Sequence, residues 1–473
     1  MTEIGVLELC KKVTFGTNKR GAKLYSFVSL NNKKFIVASK MQKTQNQICI
    51  VKPTQDNKAE IVDILGDWND ERIREKTLMI FYNIRQPKIN VEINYSLDYV
   101  DLTRLNTISI DPLNCVDVDD CMSFETFDNY SKLYIHIVDI TTFENDINLF
   151  HKQSSLYGNC ETYHLLPINI MKKLSFLENK NRHAITLEFR IDYSGTINNF
   201  VFYKSLIKNK KQYDYDNVDK LLNTDDYLMT FYKLCKNIKS NINVSIIDSH
   251  TWIEYLMILC NHSVAKYCLD NKIDIIYRTH QRPTFDLDDI DEDIRNEIKF
   301  KYYSQGEYSL NCNDHFGLDL NIYTHFTSPL RRYCDQYNHR KIFGKINDIN
   351  KNEIDEMNDM NKQIKKFHNQ MKLNIIEENN YECIISEIQD KKLQVYITSV
   401  KQFLKFRIFP RQLDNLVNYE PSEKNLVITN IQTEDKISFN IFDKIEISVK
   451  KNNNNIIPKN KLKIDLNIKW FTI

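Results

Sequence analysis

The stretch "SIDPLNCVDVDDCMSF", residues 109–124, places four aspartates within ten positions: Asp111, Asp117, Asp119 and Asp120. Carboxylates repel one another, and each loses hydration when buried. A segment that crowds them between apolar residues is either a wet turn or a cation site. Asp111-Pro112 suits a turn. Val116, Val118, Cys121 and Met122 are interleaved with the acids, which a solvated loop does not need. In an extended chain Asp117 and Asp119 face one way and Asp120 the other. They converge only at a bend or a strand end, with Asp111 folded back across the Pro112 turn. Three or four such oxygens suit a hard divalent ion, with Mg²⁺ favoured in phosphoryl chemistry. Taken alone, this stretch leaves both readings open.

Rival motifs fail on particular residues. An EF-hand loop counted from Asp117 needs Gly at its sixth position and Glu at its twelfth, where Met122 and Asp128 stand. The haloacid-dehalogenase phosphatase pattern DxDx[TV] wants Thr or Val where Cys121 stands. A DxDD terpene cyclase wants an all-helical, aromatic-rich chain, and this sequence mixes strands with helices.

A second stretch, "IYTHFTSPLRRYCDQYNHRKIF" (322–343), supplies the opposite charge. Ser328 followed by Pro329 predicts a helix start, with serine at the N-cap and proline at N1. Arg331 and Arg332 then fall in the first turn. Free N–H groups beside two arginines make an anion site, and arginine there is otherwise disfavoured by the helix dipole. Leu330, Tyr333, Cys334 and Tyr337 form a buried stripe, and Asp335 and His339 are i, i+4 neighbours. An acidic cation site plus an arginine-rich turn suggests a phosphate ester as substrate. It would be cleaved with metal-assisted water while arginine steadies the phosphoryl charge.

The whole chain constrains the rest. It has 473 residues, enough for two to four domains. Its 9 glycines compare with roughly 33 at average usage, while Asn, Lys and Ile are abundant. That drift gives single Asn and Lys residues little functional weight. Net charge is +1, so any contact with nucleic acid rests on local patches. The 11 cysteines form no CxxC pair and read as reduced core thiols of a cytoplasmic, soluble protein. The N-terminus is not expected to be a signal peptide. No segment reaches the ~18 consecutive apolar residues of a membrane span.

Residues 1–95 read as short strands, among them "KLYSFVSL", "KKFIVAS", "NQICIVKP" and "AEIVDIL". Such spacing suggests a small barrel. Residues 96–376 mix both element types. "NTISI" (106–110) is a strand ending at Asp111, and "KLYIHIVDIT" (132–141) is apolar on both faces, as a buried strand is. The i, i+3, i+4 spacing within 251–271 predicts a helix in which His262 is structural. Residues 350–376 form a polar helix leading outward. From 377 to 473 the short strands return ("YECIISEI", "KLQVYIT", "FLKFRIF", "NLVITNI", "DKIEISVK"), fitting a second barrel. "KQFLKFRIFPR" (401–411) interleaves bases with aromatics, as single-strand binding surfaces do. "KKNNNN" (450–455) is a low-complexity loop.

Together the two stretches resemble the ribonuclease II (RNB) family of 3′→5′ exoribonucleases. The family pattern opens on Ile-Asp-Pro, has Asp-x-Asp-Asp starting six residues after that Asp, and later Tyr-Thr-His-Phe-Thr-Ser-Pro-Ile-Arg-Arg-Tyr with downstream Asp and His-Arg. Here "IDPLNCVDVDD" keeps that spacing, and "YTHFTSPLRRYCDQYNHR" has Leu330 for Ile. "SSLYGNCETYHLLP" followed by "LSFL" looks like the segment carrying the family's base-stacking tyrosine, here Tyr157. "YKSLIKNKKQYDYDNV", "WIEYLMILCNHSVA" and "IIYRTHQRP" look like further family segments. The chain departs from the family at Cys121, where alanine is usual, and at "NKQIKKFHNQMK", which lacks the bacterial glutamate. No N-terminal endonuclease domain like that of the eukaryotic exosome-type members is expected.

The resemblance implies an α+β fold, an RNB catalytic core flanked by small OB-type β-barrels. It implies a hydrolase that degrades single-stranded RNA from the 3′ end to nucleoside 5′-monophosphates with Mg²⁺, or alternatively Mn²⁺. Asp111, Asp117, Asp119 and Asp120 are then metal ligands, with Asp119, Asp120 and Arg331 catalytic. Tyr157, His325, Ser328, Arg331 and Arg332 contact RNA. The expected state is a monomer with no membrane partner. A catalytically weak RNA-binding protein on the same scaffold is the alternative.

Overall fold

The computed structural model describes residues 2–10, 15–41, 45–84, 98–142, 153–282, 294, 305–344, 346–373, 376–409, 414–422, 424–451 and 462–466. The 95/96 junction and most of "KKNNNN" lie outside them. Strands β1 (Glu3–Leu7), β2 (Lys23–Ser29), β3 (Lys34–Ser39), β4 (Gln47–Pro53) and β5 (Lys58–Asp67) close a barrel in the order β1-β2-β3-β5-β4. Period-two alternation sends Leu7, Phe27, Val37, Cys49 and Val51 into its core. Helix α1 (Glu71–Phe81) follows, and the Asp70 side chain accepts the Arg72 N–H at its start. The strand-rich reading of this region had no place for it.

The central sheet contains β6 (Val100–Asp101), β7 (Thr107–Asp111), β8 (Asp120–Thr126), β9 (Tyr130–Val138), β12 (Asn181–Asp192) and β13 (Ile197–Asp214). Between β9 and β12 lies a short hairpin, β10 (Leu156–Tyr157) and β11 (Thr162–Tyr163), followed by α2 (Ile168–Leu174). The sheet order is β12-β9-β8-β7-β13-β6, with a further β12–β13 pairing that closes the first five strands into a ring. Strand β13 makes this possible. Its residues 197–208 pair antiparallel with β12, and its residues 209–214 run parallel to β7. The change of partner falls at a register shift between Asn209 and Lys211. There the buried Asn209 amide donates to Ser109 Oγ (3.2 Å) and to the Phe176 carbonyl (2.6 Å).

Both faces of the sheet are covered, which is why the buried part of β9, from Leu133 to Val138, is apolar apart from His136. Ile108, Met122, Ile135, Leu187 and Phe189 pack on one side against Phe231, Trp252, Leu256 and Cys260. Those residues come from α4 (Asp226–Lys236) and α5 (Ser249–Asp270), which follow the short α3 (Tyr215–Leu221). On the other side Val118, Cys121, Tyr134 and Val138 meet Leu165, Met171, Leu330 and Tyr333. Each such fully buried side chain stabilises by about 1.5–3 kcal/mol. Helix α5 starts on an Asp248–Thr251 capping box, and His262 Nδ1 meets the Ile322 carbonyl at 2.9 Å. Two short strands, β14 (Tyr277–Thr279) and β15 (Glu307–Ser309), precede α6 (Tyr333–Ile342) and α7 (Lys351–Leu373).

One local expectation is overturned. Helix α6 begins at Tyr333, with Arg332 as its N-cap, so Ser328-Pro329 opens a turn rather than the helix. The reason lies in where the backbone donors go. Tyr333 N–H, which a helix from Ser328 would send to the Pro329 carbonyl, goes to the Gln153 carbonyl, the Gln336 side chain takes the Pro329 carbonyl, and Arg332 forms a bridge with Ser154 in extended geometry. No continuous helical ladder survives those diversions.

The tail holds more strands than the sequence pattern showed. β16 (Asn379–Gln389), β17 (Lys392–Ile397), β18 (Gln402–Arg407), β22 (Lys444–Lys451) and β23 (Leu462–Leu466) form one sheet. β19 (Val417–Pro421), β20 (Asn425–Asn430) and β21 (Lys436–Asn440) form another, and both share one core around Ile385, Val395, Leu426 and Ile447. The architecture is α+β, a central sheet covered by helices with small β units on either side. No helix among the described residues is long and apolar enough to cross a membrane.

A buried polar chain ties four strands of the ring. Ser123 Oγ meets His136 Nε2 at 2.9 Å, His136 Nδ1 meets Thr186 Oγ1 at 2.7 Å, and Thr186 reaches Ser205. Burial pulls His136 down to about 3, so the ring is neutral. An unfolded histidine titrates near ~6.5. Between those values the unfolded state binds the extra proton, so this contribution is full above pH ~6.5 and is lost as pH falls toward 3. We expect wild type to lose about 1.4 kcal/mol more than His136→Asn between pH 7.5 and 5.5. Denaturant titration at the two pH values measures it, and equal losses in both proteins would refute the assignment.

Candidate active site

Strand β7 ends at Asp111 and its antiparallel partner β8 begins at Asp120, so both carboxylates stand at the same end of the pair, close enough for the charge of one to act on the other. The intervening loop turns at Pro112–Cys115, where the Cys115 N–H reaches the Pro112 carbonyl (3.0 Å) and Asn114 takes a left-handed φ of 62°. This is the bend that convergence required. Cys121, one residue on, points into the opposite core layer and is fully buried.

Asp119 is 4% exposed and anchors the loop. Its Oδ1 accepts the Leu330 N–H at 2.7 Å, across 211 residues of sequence. Its Oδ2 faces Arg331 Nε at 3.6 Å, and Arg331 also donates to Ser328 Oγ at 2.8 Å. Asp117 Oδ2 accepts the Tyr157 hydroxyl at 3.2 Å and lies 3.8 Å from His164 Nδ1. The structure therefore brings Asp111, Asp117, Asp119, Asp120, Tyr157, Ser328, Arg331 and Arg332 to one cavity of about 810 Å³.

Electrostatics fit a site built for a cation. Burial, then the charge of Asp120, pushes the Asp111 carboxyl up to about 8. Burial pushes Asp120 up to about 6 against the pull of Arg331. Asp119 is driven well above the carboxylate range by burial, although Arg331 and the Leu330 N–H oppose it. Asp111 Oδ2 and Asp119 Oδ2 are buried without a hydrogen-bond partner. Orphaned carboxylate oxygens at that depth are costly, and an all-oxygen donor set matches a hard divalent ion.

The tightest ligand-like group lies elsewhere. Among the described residues, His325, Cys334 and Asp335 alone form a trio whose ligand atoms lie within 4.8 Å of one another. A cation already sits there: Arg332 Nη2 donates to Asp335 Oδ1 at 2.8 Å. Asp335 Oδ1 also accepts the Ser328 N–H at 2.7 Å. Burial, with Arg332 and Arg278 nearby, holds His325 well below its ordinary range, and its Nδ1 meets Tyr308 OH at 3.0 Å. This trio is the internal support of the arginine turn. His325 is not in the cavity wall; it lies behind it, beside Arg332.

The cavity also exposes residues that motif spacing did not single out. Tyr215 and His250 stack at 3.8 Å across from the acidic loop, and Glu254 and Met257 of α5 complete that wall. Nothing in local sequence sets Tyr215 apart except its place where β13 ends beside Asp111. His250 and Glu254 lie one turn apart on a helix whose remaining residues are mostly core.

Comparison with known proteins agrees with this architecture. The RNB domain profile matches residues 99–243 and 285–348. Ribonuclease R of Mycoplasma genitalium is 24% identical over 500 residues, covering 85% of this chain and 68% of that protein. The probable exosome complex exonuclease RRP44 of Caenorhabditis elegans is 25% identical over 333 residues, covering 53% of this chain and 35% of its own length. The ribonuclease R relatives of Mycoplasma pneumoniae and Aquifex aeolicus are matched over 52% and 54% of their length. The structure of Mycoplasma genitalium RNase R in complex with ribose-methylated single-stranded RNA superposes with a TM-score of 0.76 at 19% identity, covering 98% of this chain and 89% of that one. Yeast Ssd1, a pseudonuclease, superposes with a TM-score of 0.66 at 13% identity, covering 98% and 82%.

The support beneath the arginine turn makes a stability prediction. Asp335→Ala leaves the Arg332 guanidinium without its buried counter-ion and orphans the Ser328 N–H. We expect a loss of about 3–5 kcal/mol, against a smaller loss for the paired Arg332→Met/Asp335→Leu change. Chemical denaturation reads both, and an Asp335→Ala protein within about 1 kcal/mol of wild type would contradict the buried pair.

Proposed function

The chain belongs to the RNB-domain family, and from that premise we propose that it is a hydrolytic 3′→5′ exoribonuclease. Its substrate is single-stranded RNA and its products are nucleoside 5′-monophosphates. The observation that carries this is the meeting of the two distant motifs: Asp119 accepts the Leu330 N–H while Arg331 stands 3.6 Å from its other oxygen. The organisation proposed with it is an RNA-binding barrel over 1–95, a catalytic core over 96–376 and a second RNA-binding unit over 377–473.

Asp111, Asp117, Asp119 and Asp120 are the residues that would hold Mg²⁺, or alternatively Mn²⁺. Such an ion, when bound, stabilises charge on the phosphoryl group and makes water a better nucleophile. The chain's own groups do the rest. Arg331 is 42% exposed at the cavity wall and neutralises a non-bridging oxygen of the scissile phosphate. The Asp119 oxygen opposite it orients the attacking water. Tyr157, 44% exposed, stacks its ring on a base near the 3′ end, a contact worth about 1–3 kcal/mol. Arg332 and Ser328 hold the turn from beneath. The flanking units guide the strand through backbone contacts, which gives little sequence preference and strong salt dependence.

The alternative, RNA binding without cleavage, is raised by the likeness to Ssd1, since the fold by itself does not guarantee turnover. Four aspartates and Arg331 around one cavity favour cleavage. With a 5′-labelled oligoribonucleotide and Mg²⁺, wild type is expected to give a ladder shortening one nucleotide at a time. Asp119→Asn should lose on the order of 10²–10³-fold in kcat while still binding RNA. Equal degradation by both proteins would sink the site.

Cation binding should also depend on pH. It requires deprotonated carboxylates and releases protons. With Asp111 near 8 and Asp120 near 6, Mg²⁺ affinity should climb from pH 6 to 8 by up to about tenfold per unit, and level off above. Isothermal titration in buffers of different ionisation heat would show the proton release; a flat affinity across that window would count against these ligands.

A further inference from the structure

Glu75 of α1 is 3% exposed, yet it makes no salt bridge among the described residues. Its Oε2 instead accepts two backbone donors from the turn joining β10 to β11: Asn159 N–H at 2.9 Å and Cys160 N–H at 3.1 Å. Charge-assisted bonds of this kind are strong. The adjacent Gly158 permits the approach. A Cβ there would lie 1.9 Å from Glu75 Oε1 and 2.3 Å from its Cδ. In a chain with 9 glycines, one stands directly after Tyr157, where the carboxylate passes.

The opposite side of the turn is held by α7. His368 Nε2 accepts the Tyr157 N–H at 3.2 Å, and Asn159 Nδ2 donates to the Met371 carbonyl at 3.2 Å. The hairpin's own ladder has only two residue pairs, Leu156–Tyr163 and Tyr157–Thr162, too few for independent stability. Its position is therefore set from outside, by α1 on one side and α7 on the other.

We propose that Glu75 is a positioning residue for RNA binding: its carboxylate, admitted by Gly158, locks the turn so that Tyr157 presents its ring to the RNA 3′ end. Helix α1 thereby contributes to the active site through the hairpin it holds. This rests on the stacking role given to Tyr157. Freeing the turn weakens the grip on the terminal base but leaves Asp119 and Arg331 in place. The effect falls on KM, and kcat is kept.

The test compares Glu75→Gln, Gly158→Ala and Tyr157→Ala on the full chain. KM and kcat are measured with a short oligoribonucleotide. Fluorescence quenching of a 3′-terminal 2-aminopurine is read in EDTA, so that no cleavage occurs. Tyr157→Ala should remove the quenching and raise KM roughly tenfold or more. Glu75→Gln and Gly158→Ala should each raise KM about five- to tenfold, reduce the quenching and hold kcat within about twofold. Gly158→Ala leaves α1 unaltered, so it probes the same contact even if Glu75→Gln unfolds. Unchanged quenching in Tyr157→Ala would overturn the stacking role and this proposal with it. Loss in Tyr157→Ala with wild-type KM and quenching in the folded Glu75 or Gly158 variant would leave stacking standing and overturn the positioning role. A fall in kcat at unchanged KM would overturn it as well.

Discussion

One hydrogen bond joins the two halves of this protein's chemistry. The Leu330 N–H donates a hydrogen bond to Asp119 Oδ1 across 211 residues. That contact fixes the acidic loop against the arginine turn, beside the bond by which the Tyr333 N–H leaves the helical ladder for the Gln153 carbonyl. The barrel, the ring of strands and both core layers hold these two segments within one bond length of each other. Interior packing of crystal-like density makes such a fixed separation feasible.

The neighbouring arginines show how burial divides labour. Arg332 is bonded to fully buried Asp335 and is sheltered by His325 and Cys334. Arg331 is bonded only lightly to Ser328 and remains 42% exposed. A guanidinium placed entirely in water would hold an anion weakly, and one placed entirely inside would be taken up by its counter-ion. The tandem pair gives one of each. The acidic groupings share one trait: Asp335 Oδ1 takes two protein donors and Asp119 Oδ1 takes one, while the second oxygen of each has no hydrogen-bond partner.

Much of this was legible in the sequence, for physical reasons that differ by element. Strand β9 announced itself because burial on both faces demands a nearly continuous apolar run. Helix α5 did so because its core contacts recur with helical spacing. The aspartates drew notice because like charges are rarely crowded without cause. The Ser328-Pro329 signal misled because it is local, and the Tyr333 donor that would have continued its helix was claimed by Gln153 from far away. His325 belongs to the same motif as Arg331, yet motif membership does not say which side of a turn faces the cavity. Tyr215 and His250 went unnoticed because only the tertiary fold brings the end of β13 to the start of α5. The second sheet of the tail was hidden by strands of five or six residues with mixed exposure.

Strand β13 has a consequence for how the molecule assembles. Its first half zips onto β12 through a tight connection, so that hairpin can form as soon as both strands exist. Its second half must capture β7, which lies about a hundred residues earlier and brings Asp111 with it. Pairings across long separations form late, because the closure entropy is borne before the contacts repay it. The ring therefore closes on two local pairs, β12–β13 and the β7–β8 pair whose connection carries all four aspartates. Its closure brings the end of β13, and Tyr215 with it, to the cavity wall beside them.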